Sequence, residues 1–309
     1  MPRASLLLCL VILFALPAIA FAKPVPKSAK VIYEKTTNYH FIQVYDLSGV
    51  RTLAFDGSEE TIMRISDPVH SGFEYLNFFH APFAINGSIS RVLMVGLGGG
   101  SAAKQFQTYY PDVQLDIVEL DPVVVDVAKQ YFQFTPGPNT RIHTMDGRQF
   151  LKGTKAKYDL ILMDAYTSNP YGSFIPFHLA TSEFFALAKS RLTPGGLLAY
   201  NVIGQINGWR KNILGSVFKT MEGSFESIYM FPSSTTRNVV MIADTGTTAY
   251  SRASLTSSAK ALVARGRAPM PGYVGMFTKV NAPDALPGAY KQSPVLTDDY
   301  APVDGLLKD

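Results

Sequence analysis

The sequence predicts an α/β protein: a doubly wound, mostly parallel sheet preceded by a small antiparallel β unit. Three observations lead there. From Arg91 onward, short apolar runs alternate with helical patterns; the first of these runs ends in a cluster of glycines; and the stretch before Arg91 holds short strand-like segments separated by turn residues.

Taken in order, residues 23–30 are rich in Lys and Pro and read as a loose leader. Lys30–Lys35, His40–Asp46 and Arg51–Phe55 have strand character, with turn signals at Thr36–Asn38, Ser48-Gly49 and Asp56-Gly57. Asp67–His80 reads as a helix, because Phe73, Leu76, Phe79 and His80 fall on one face. Five strands follow: Arg91–Gly96, Val113–Glu119, Arg141–Thr144, Tyr158–Asp164 and Gly196–Val202, with helices at Pro122–Tyr131 and Leu179–Leu192 between them. Alternation of this kind makes a parallel sheet with helices on both faces. Phe225–Phe231 and Val239–Ala243 form a closing strand pair, Ser251–Ala268 is helical, and residues 269–309 are rich in Pro and Gly. The expected organisation is a leader at 1–22, a β-rich unit with a linking helix at 23–90, and a nucleotide-binding domain at 91–309.

Composition narrows the function classes. With 47% hydrophobic and 17% charged positions, the 309 residues can bury a large core, which excludes a disordered chain. The net charge of +4 comes from scattered basic residues, so no nucleic-acid stripe is expected. Residues 1–22 carry Arg3 as their one charge, then an apolar run, then Ala20-Phe21-Ala22, the pattern of a secretory signal with a small-x-small cleavage site. An uncleaved membrane anchor is the rival reading. Either way an exported domain is expected, periplasmic or secreted. The one cysteine, Cys9, lies in that leader, so the mature chain has no disulfide and no thiolate nucleophile. The five histidines have no metal-ligand spacing, and no metal is expected.

The chemistry-bearing residues sit at the ends of the strands. Val95-Gly96-Leu97-Gly98-Gly99-Gly100-Ser101 closes the first strand of the alternating series and opens a helix, which lets backbone N–H groups approach a ligand. Glu119 closes the second strand, where an acid accepts hydrogen bonds from ribose hydroxyls in nicotinamide and adenosyl cofactors alike. Asp146-Gly147 follows the third strand and Asp164 ends the fourth. Carboxyl ends of adjacent parallel strands converge on the crevice where such sheets bind ligands.

These residues, with Leu192-Thr193-Pro194-Gly195-Gly196, resemble the Rossmann-like class I methyltransferase fold, and more closely its spermidine synthase (polyamine aminopropyltransferase) branch. The resemblance runs through VLMVGLGGGS at 92–101, VELD at 118–121, MDGRQFL at 145–151, YDLILMDAY at 158–166, TSEFFALAKSRLTPGG at 181–196 and LTDDYAPV at 296–303. It covers roughly Tyr33 to Val303. It implies a transferase of polyamine biosynthesis that uses decarboxylated S-adenosylmethionine, or S-adenosylmethionine itself, as co-substrate and moves an aminopropyl or methyl group to an amine or other small acceptor. Carried over by motif, Gly96, Gly98 and Gly100 line the methylthioadenosine site, Glu119 holds its ribose, Asp146 and Gly147 face the adenine, and Asp164 is the proton acceptor. Such a base is needed because an alkylamine with a pKa near about 10 is protonated at pH 7, and removing that proton costs about 4 kcal/mol.

Two positions depart from the family pattern. Gly99 stands where the glycine loop of the family carries an aspartate, and Thr167 stands in place of a second aspartate three residues after the catalytic one. Both acids help to hold a cationic amine, so their loss argues against a simple diamine held at both ends; Glu59, Glu60, Glu74 and Tyr166 are the nearby candidates to compensate. Two other classes stay open: an exported, non-catalytic binding protein that retains the crevice, and a nicotinamide-dependent oxidoreductase. The Leu-Thr-Pro-Gly-Gly segment and Asp146-Gly147 argue against the latter. The expected partners are a small-molecule acceptor and a second copy of the chain.

Overall fold

The computed structural model describes residues 24–309 except 170–171, 209, 269, 282–287, 304 and 308–309. The leader expected at 1–22 lies outside the described residues.

The chain begins with an antiparallel sheet of five strands in sequence order: β1 (Lys30–Thr36), β2 (Phe41–Leu47), β3 (Val50–Phe55), β4 (Ser58–Arg64) and β5 (Asp67–Ser71). Two of its connections are two-residue hairpins with positive φ at both central residues, Ser48-Gly49 and Asp56-Gly57. That is the type I′ geometry, whose twist matches the twist of the flanking strands. One face of the sheet packs Ile42, Val44, Leu53, Phe55 and Met63 against Val124, Val127 and Phe132 of the following domain.

After a short helix α1 (Tyr75–Phe78) and a 3-10 turn (Ala81–Ala84) comes the alternating region. Its elements are β6 (Arg91–Val95), α2 (Ser101–Tyr109), β7 (Gln114–Glu119), α3 (Pro122–Tyr131), β8 (Thr140–Thr144), α4 (Gly147–Gly153) and β9 (Tyr158–Met163). A small hairpin, β10 (Thr167–Asn169) and β11 (Gly172–Phe174), precedes α5 (Ser182–Ser190) and β12 (Leu192–Ile203). The last elements are α6 (Lys211–Glu222), β13 (Ser227–Pro232), β14 (Asn238–Asp244) and α7 (Arg252–Ala264).

Seven strands form one sheet in the order β13-β14-β12-β9-β6-β7-β8. The five from β12 to β8 are parallel, and β14 runs antiparallel to both of its neighbours. Central strands read as continuous apolar runs because both faces are covered. Val92 and Met94 enter the core on one face, while Leu93 and Val95 enter the core on the other. Chain order reverses between β6, which pairs with β7 on one side, and β9 on its other side. The crevice outside the carboxyl ends of strands at such a switch point is where open α/β sheets bind ligands.

The structure corrects one element. The helix expected over Asp67–His80 is instead strand β5, then helix only over Tyr75–Phe78. The apolar spacing from Phe73 onward is real, since Leu76, Phe79 and His80 are buried. Upstream of it, Pro68 removes a helix donor and Gly72 lies against Ile62 of β4, where an added Cβ would stand 2.7 Å from the Ile62 Cγ2. Close strand-to-strand approach wins over helix there.

Candidate active site

The carboxyl ends of β6, β7 and β9, the first turn of α4, the β4 strand and the segment 301–303 enclose a cavity of about 690 Å³. Gly96, Gly98, Glu119, Asp146, Gly147 and Asp164 all line it.

Gly96 leaves β6 with φ +101°, a conformation that favours glycine. A Cβ there would overlap the Asp164 carbonyl oxygen, so the ends of β6 and β9 touch only because the residue is glycine. The next N–H, of Leu97, donates to Glu119 Oε2 at 2.9 Å, and the Asp121 N–H donates to Oε1 at 3.0 Å. Glu119 is thereby clamped between the glycine loop and the start of α3. Burial pushes its carboxyl up, and the backbone N–H groups oppose that. Each oxygen keeps acceptor capacity for a hydroxyl in the cavity.

Asp146 caps α4: its Oδ1 accepts from the Gln149 N–H at 2.9 Å. Its Oδ2 accepts from His178 Nε2 at 2.9 Å, a bond that also holds the carboxyl below its usual range. At Gly147 an added Cβ would run into Val95, which shows how closely α4 approaches the end of β6.

Asp164 stands at the centre. Oδ1 accepts from Asn201 Nδ2 at 2.8 Å, and Oδ2 accepts from the Tyr75 hydroxyl at 3.2 Å. Asn201 is oriented in turn by Asn238, whose Nδ2 donates to Asn201 Oδ1 at 3.0 Å. Burial pushes Asp164 up to about 6, against the pull of the two donors. Tyr166, also on the wall, donates to the Asn201 carbonyl at 2.7 Å and accepts from the Ile203 N–H at 3.0 Å.

Other residues fall differently from the reading of the sequence. Gly100 does not reach the cavity: it caps α2 with φ +74° and backs on Phe134. Its part is to turn the loop, not to line the site. Gly99 is also buried behind the wall; its N–H donates to Thr61 Oγ1 at 2.9 Å, and a Cβ would meet Thr61 Cγ2 at 2.6 Å and Phe132 at 2.9 Å. Thr61 of β4 thus fills the space into which an acidic side chain at 99 would project. Glu74 points elsewhere, accepting from Ser233, Ser234 and Thr235 and pairing with Lys279. Despite burial, Lys279 and the Ser234 N–H bring its carboxyl down to about 2. Tyr75, Asn201, His178 and Thr61 are parts of the site that the sequence reading did not single out. The position of Asn201 at the end of β12, beside β9, was the one available signal.

LTDDYAPV is fixed to the wall by Asp298. Arg148 of α4 donates to both of its oxygens at 2.7 and 2.6 Å, and the Thr181 hydroxyl adds a third bond at 2.7 Å. This holds Ala301, Pro302 and Val303 against the cavity. Among the described residues no group of three or more His, Cys, Asp or Glu could hold a metal ion.

Known proteins resemble this chain in sequence and in fold. The spermine/spermidine synthase domain matches residues 75–239, more than half of the chain. A polyamine aminopropyltransferase of Vibrio vulnificus is 36% identical over 200 residues, 62% of this chain and 66% of that protein. A probable polyamine aminopropyl transferase of Bifidobacterium longum is 30% identical over 294 residues, covering 89% of this chain and 61% of that one. The chain therefore spans about two thirds or less of the length of these relatives. A probable spermidine synthase from Corynebacterium glutamicum shares the fold, with a TM-score of 0.66 at 19% identity over 89% of this chain and 97% of that one. A parallel sheet with its switch point at a glycine loop, a five-stranded antiparallel sheet before it and a domain match across the whole strand-end site place this chain in the spermine/spermidine synthase family.

Proposed function

We propose that the protein is a transferase that takes an aminopropyl or methyl group from an adenosyl sulfonium donor, decarboxylated S-adenosylmethionine or S-adenosylmethionine, and joins it to a small amine. The observation that carries this reading is Asp164: a carboxylate at the end of β9, aimed by Asn201 and Tyr75 into one cavity with Glu119 and Asp146, with burial pushing its pKa up. A pure binding protein has no use for a base tuned in this way, and tuning toward the working pH is what general base catalysis asks for.

The residues fit the donor. A cavity of about 690 Å³ is ample for a nucleoside with a short side chain and an acceptor. Glu119 accepts from the ribose hydroxyls, its geometry fixed by the Leu97 and Asp121 N–H groups. Asp146 and Gly147 face the nucleobase, with His178 orienting the Asp146 carboxylate. The sulfonium supplies an electrophilic carbon next to a good leaving group. Asp164 takes the proton from the acceptor ammonium; the upward shift of about two units narrows the mismatch with an amine by about 3 kcal/mol. Asn201 and Tyr75 keep its two oxygens aimed while the proton moves. The nitrogen lone pair then forms the new N–C bond as the C–S bond breaks, and methylthioadenosine or S-adenosylhomocysteine leaves.

Export is part of the proposal and rests on residues 1–22 alone. Amino-terminal sequencing of the native protein tests it, with a start near Lys23 expected. The activity is tested by calorimetry with methylthioadenosine, both sulfonium donors and NAD, followed by turnover with amines. Binding of NAD in place of the adenosyl ligands would overturn the transferase reading.

A further inference from the structure

Glu60 has no part in the steps above, and its position asks for one. In the pairing of β3 with β4, Leu53 faces Thr61 and Ala54 faces Glu59, so Glu60 is the extra residue of a β-bulge. Bulges re-aim a side chain that strict alternation would send to the other face. Here the consecutive residues Glu59, Glu60 and Thr61 all line the cavity, which strict alternation would not allow. The Glu60 carboxylate is held there by the β10–β11 hairpin, where the Ser173 hydroxyl donates to Oε1 at 2.6 Å.

Glu60 and Asp164 thus line one cavity together with Glu59, Glu119 and Asp146, and the ion pairs of the described residues involve neither Glu60 nor Asp164. Burial pushes Glu60 up to about 7, with the charges of Asp164 and Asp56 adding to it. A cation bound at Glu60 offsets its burial and the repulsion from Asp164. The other candidate acids already have partners: Glu59 also lines the cavity but is exposed and accepts from the Tyr45 hydroxyl at 2.8 Å, and Glu74, outside the cavity, is paired with Lys279. Gly99 and Thr167 supply no charge.

We propose that Glu60 is a specificity-determining residue whose carboxylate holds an alkylammonium group of the substrate other than the nitrogen that loses its proton at Asp164. This rests on the transferase reading. The ammonium belongs either to the far end of a diamine acceptor, which is the arrangement expected, or to the aminopropyl end of the donor; the chemistry at Glu60 is the same.

Glu60→Gln tests it, since it removes the charge but leaves an oxygen for Ser173. Three measurements on the whole protein separate the outcomes. Calorimetry with methylthioadenosine, which has no ammonium, is expected to give the same affinity in variant and wild type. The KM for putrescine is expected to rise about 10–100-fold while the KM for butylamine stays within a factor of about two, the loss of one charged hydrogen bond. Weaker binding of decarboxylated S-adenosylmethionine in the variant, with both acceptors unaffected, assigns the ammonium to the donor instead. Glu60→Asp is expected to restore part of the discrimination between the two amines, which excludes mere disturbance of β4. Equal effects on putrescine and butylamine, or no effect on putrescine, butylamine or decarboxylated S-adenosylmethionine, overturn the proposal while leaving the transferase reading in place. Failure of the wild type to bind methylthioadenosine or either sulfonium donor overturns that reading and the role of Glu60 with it.

Discussion

Replacing the base should make the protein more stable. Asp164 is raised from an ordinary 3.8 to about 6 because the folded protein holds its charge in a cavity with few compensating donors. Its folded pKa lies above its unfolded one, so the native state binds more protons than the unfolded state between about pH 4 and 6. The penalty is absent below about pH 4, grows through that window and is complete above about pH 6. Two units at about 1.4 kcal/mol each come to about 3 kcal/mol, and water in the cavity reduces this to about 1–3 kcal/mol. Asp164→Asn removes the charge and keeps the hydrogen-bonding shape, because the new amide oxygen still accepts from Asn201 and the amide nitrogen can donate to the Tyr75 oxygen. Urea unfolding at pH 8 should therefore find the variant more stable by about 1–3 kcal/mol, and at pH 4 the two proteins should coincide. Turnover should fall by about 10²–10⁴ in the same variant, the usual share of a general base. A stability difference that is the same at both pH values, or a variant weaker at pH 8, would refute the assignment of a strained charge at this position.

Three further outcomes follow from the same geometry. Glu119→Gln should weaken methylthioadenosine binding by about 1.5–3 kcal/mol, measured by calorimetry. It should also lower the melting temperature, because one end of the amide must present N–H to the N–H of Leu97 or Asp121. Gly99→Asp should destabilise by about 1–3 kcal/mol through overpacking against Thr61 and Phe132, and should not improve the KM for putrescine; normal stability with a lowered KM would mean that the acid does reach the cavity. In the free enzyme kcat/KM for an amine should fall as pH drops through about 6, where Asp164 takes up its proton, and a pH profile flat from 5 to 8 would remove it as the base.

The parallel sheet was readable because strands covered on both faces leave uninterrupted apolar runs, and RVLMV and YDLILM are of that kind. The acids at the strand ends were readable for a related reason: a short polar residue directly after such a run marks the edge of the buried layer. Strand β4 was not, because its bulge at Glu60 breaks the alternation by which a half-buried strand is recognised. The partners of Asp164 were hidden too. Asn201 and Tyr75 are 37 and 89 residues away, and only the tertiary fold, with β12 beside β9 and α1 carrying Tyr75, brings them together. A glycine at 99 looked like a missing acid, whereas in space it is the room that Thr61 occupies.

The bulged strand has a consequence for how such a protein can change. The region matched by the family domain, 75–239, contains the glycine loop, Glu119, Asp146, Asp164 and the side chains that aim it. Glu60 and Thr61 precede that region, on a sheet whose hydrophobic face rests on α3 and whose turns are short and self-specified. The wall carrying Glu119, Asp146 and Asp164 and the wall carrying Glu60 and Thr61 therefore lie on different stretches of chain. A substitution at the bulged position would change the side chain offered to the cavity without disturbing a strand of the parallel sheet, whereas a one-residue slip of β4 would also turn Met63 away from the core it shares with α3. Under the proposed transfer, acceptor preference can drift in this architecture by change at one residue of a peripheral sheet, while the residues proposed to hold the donor stay as they are.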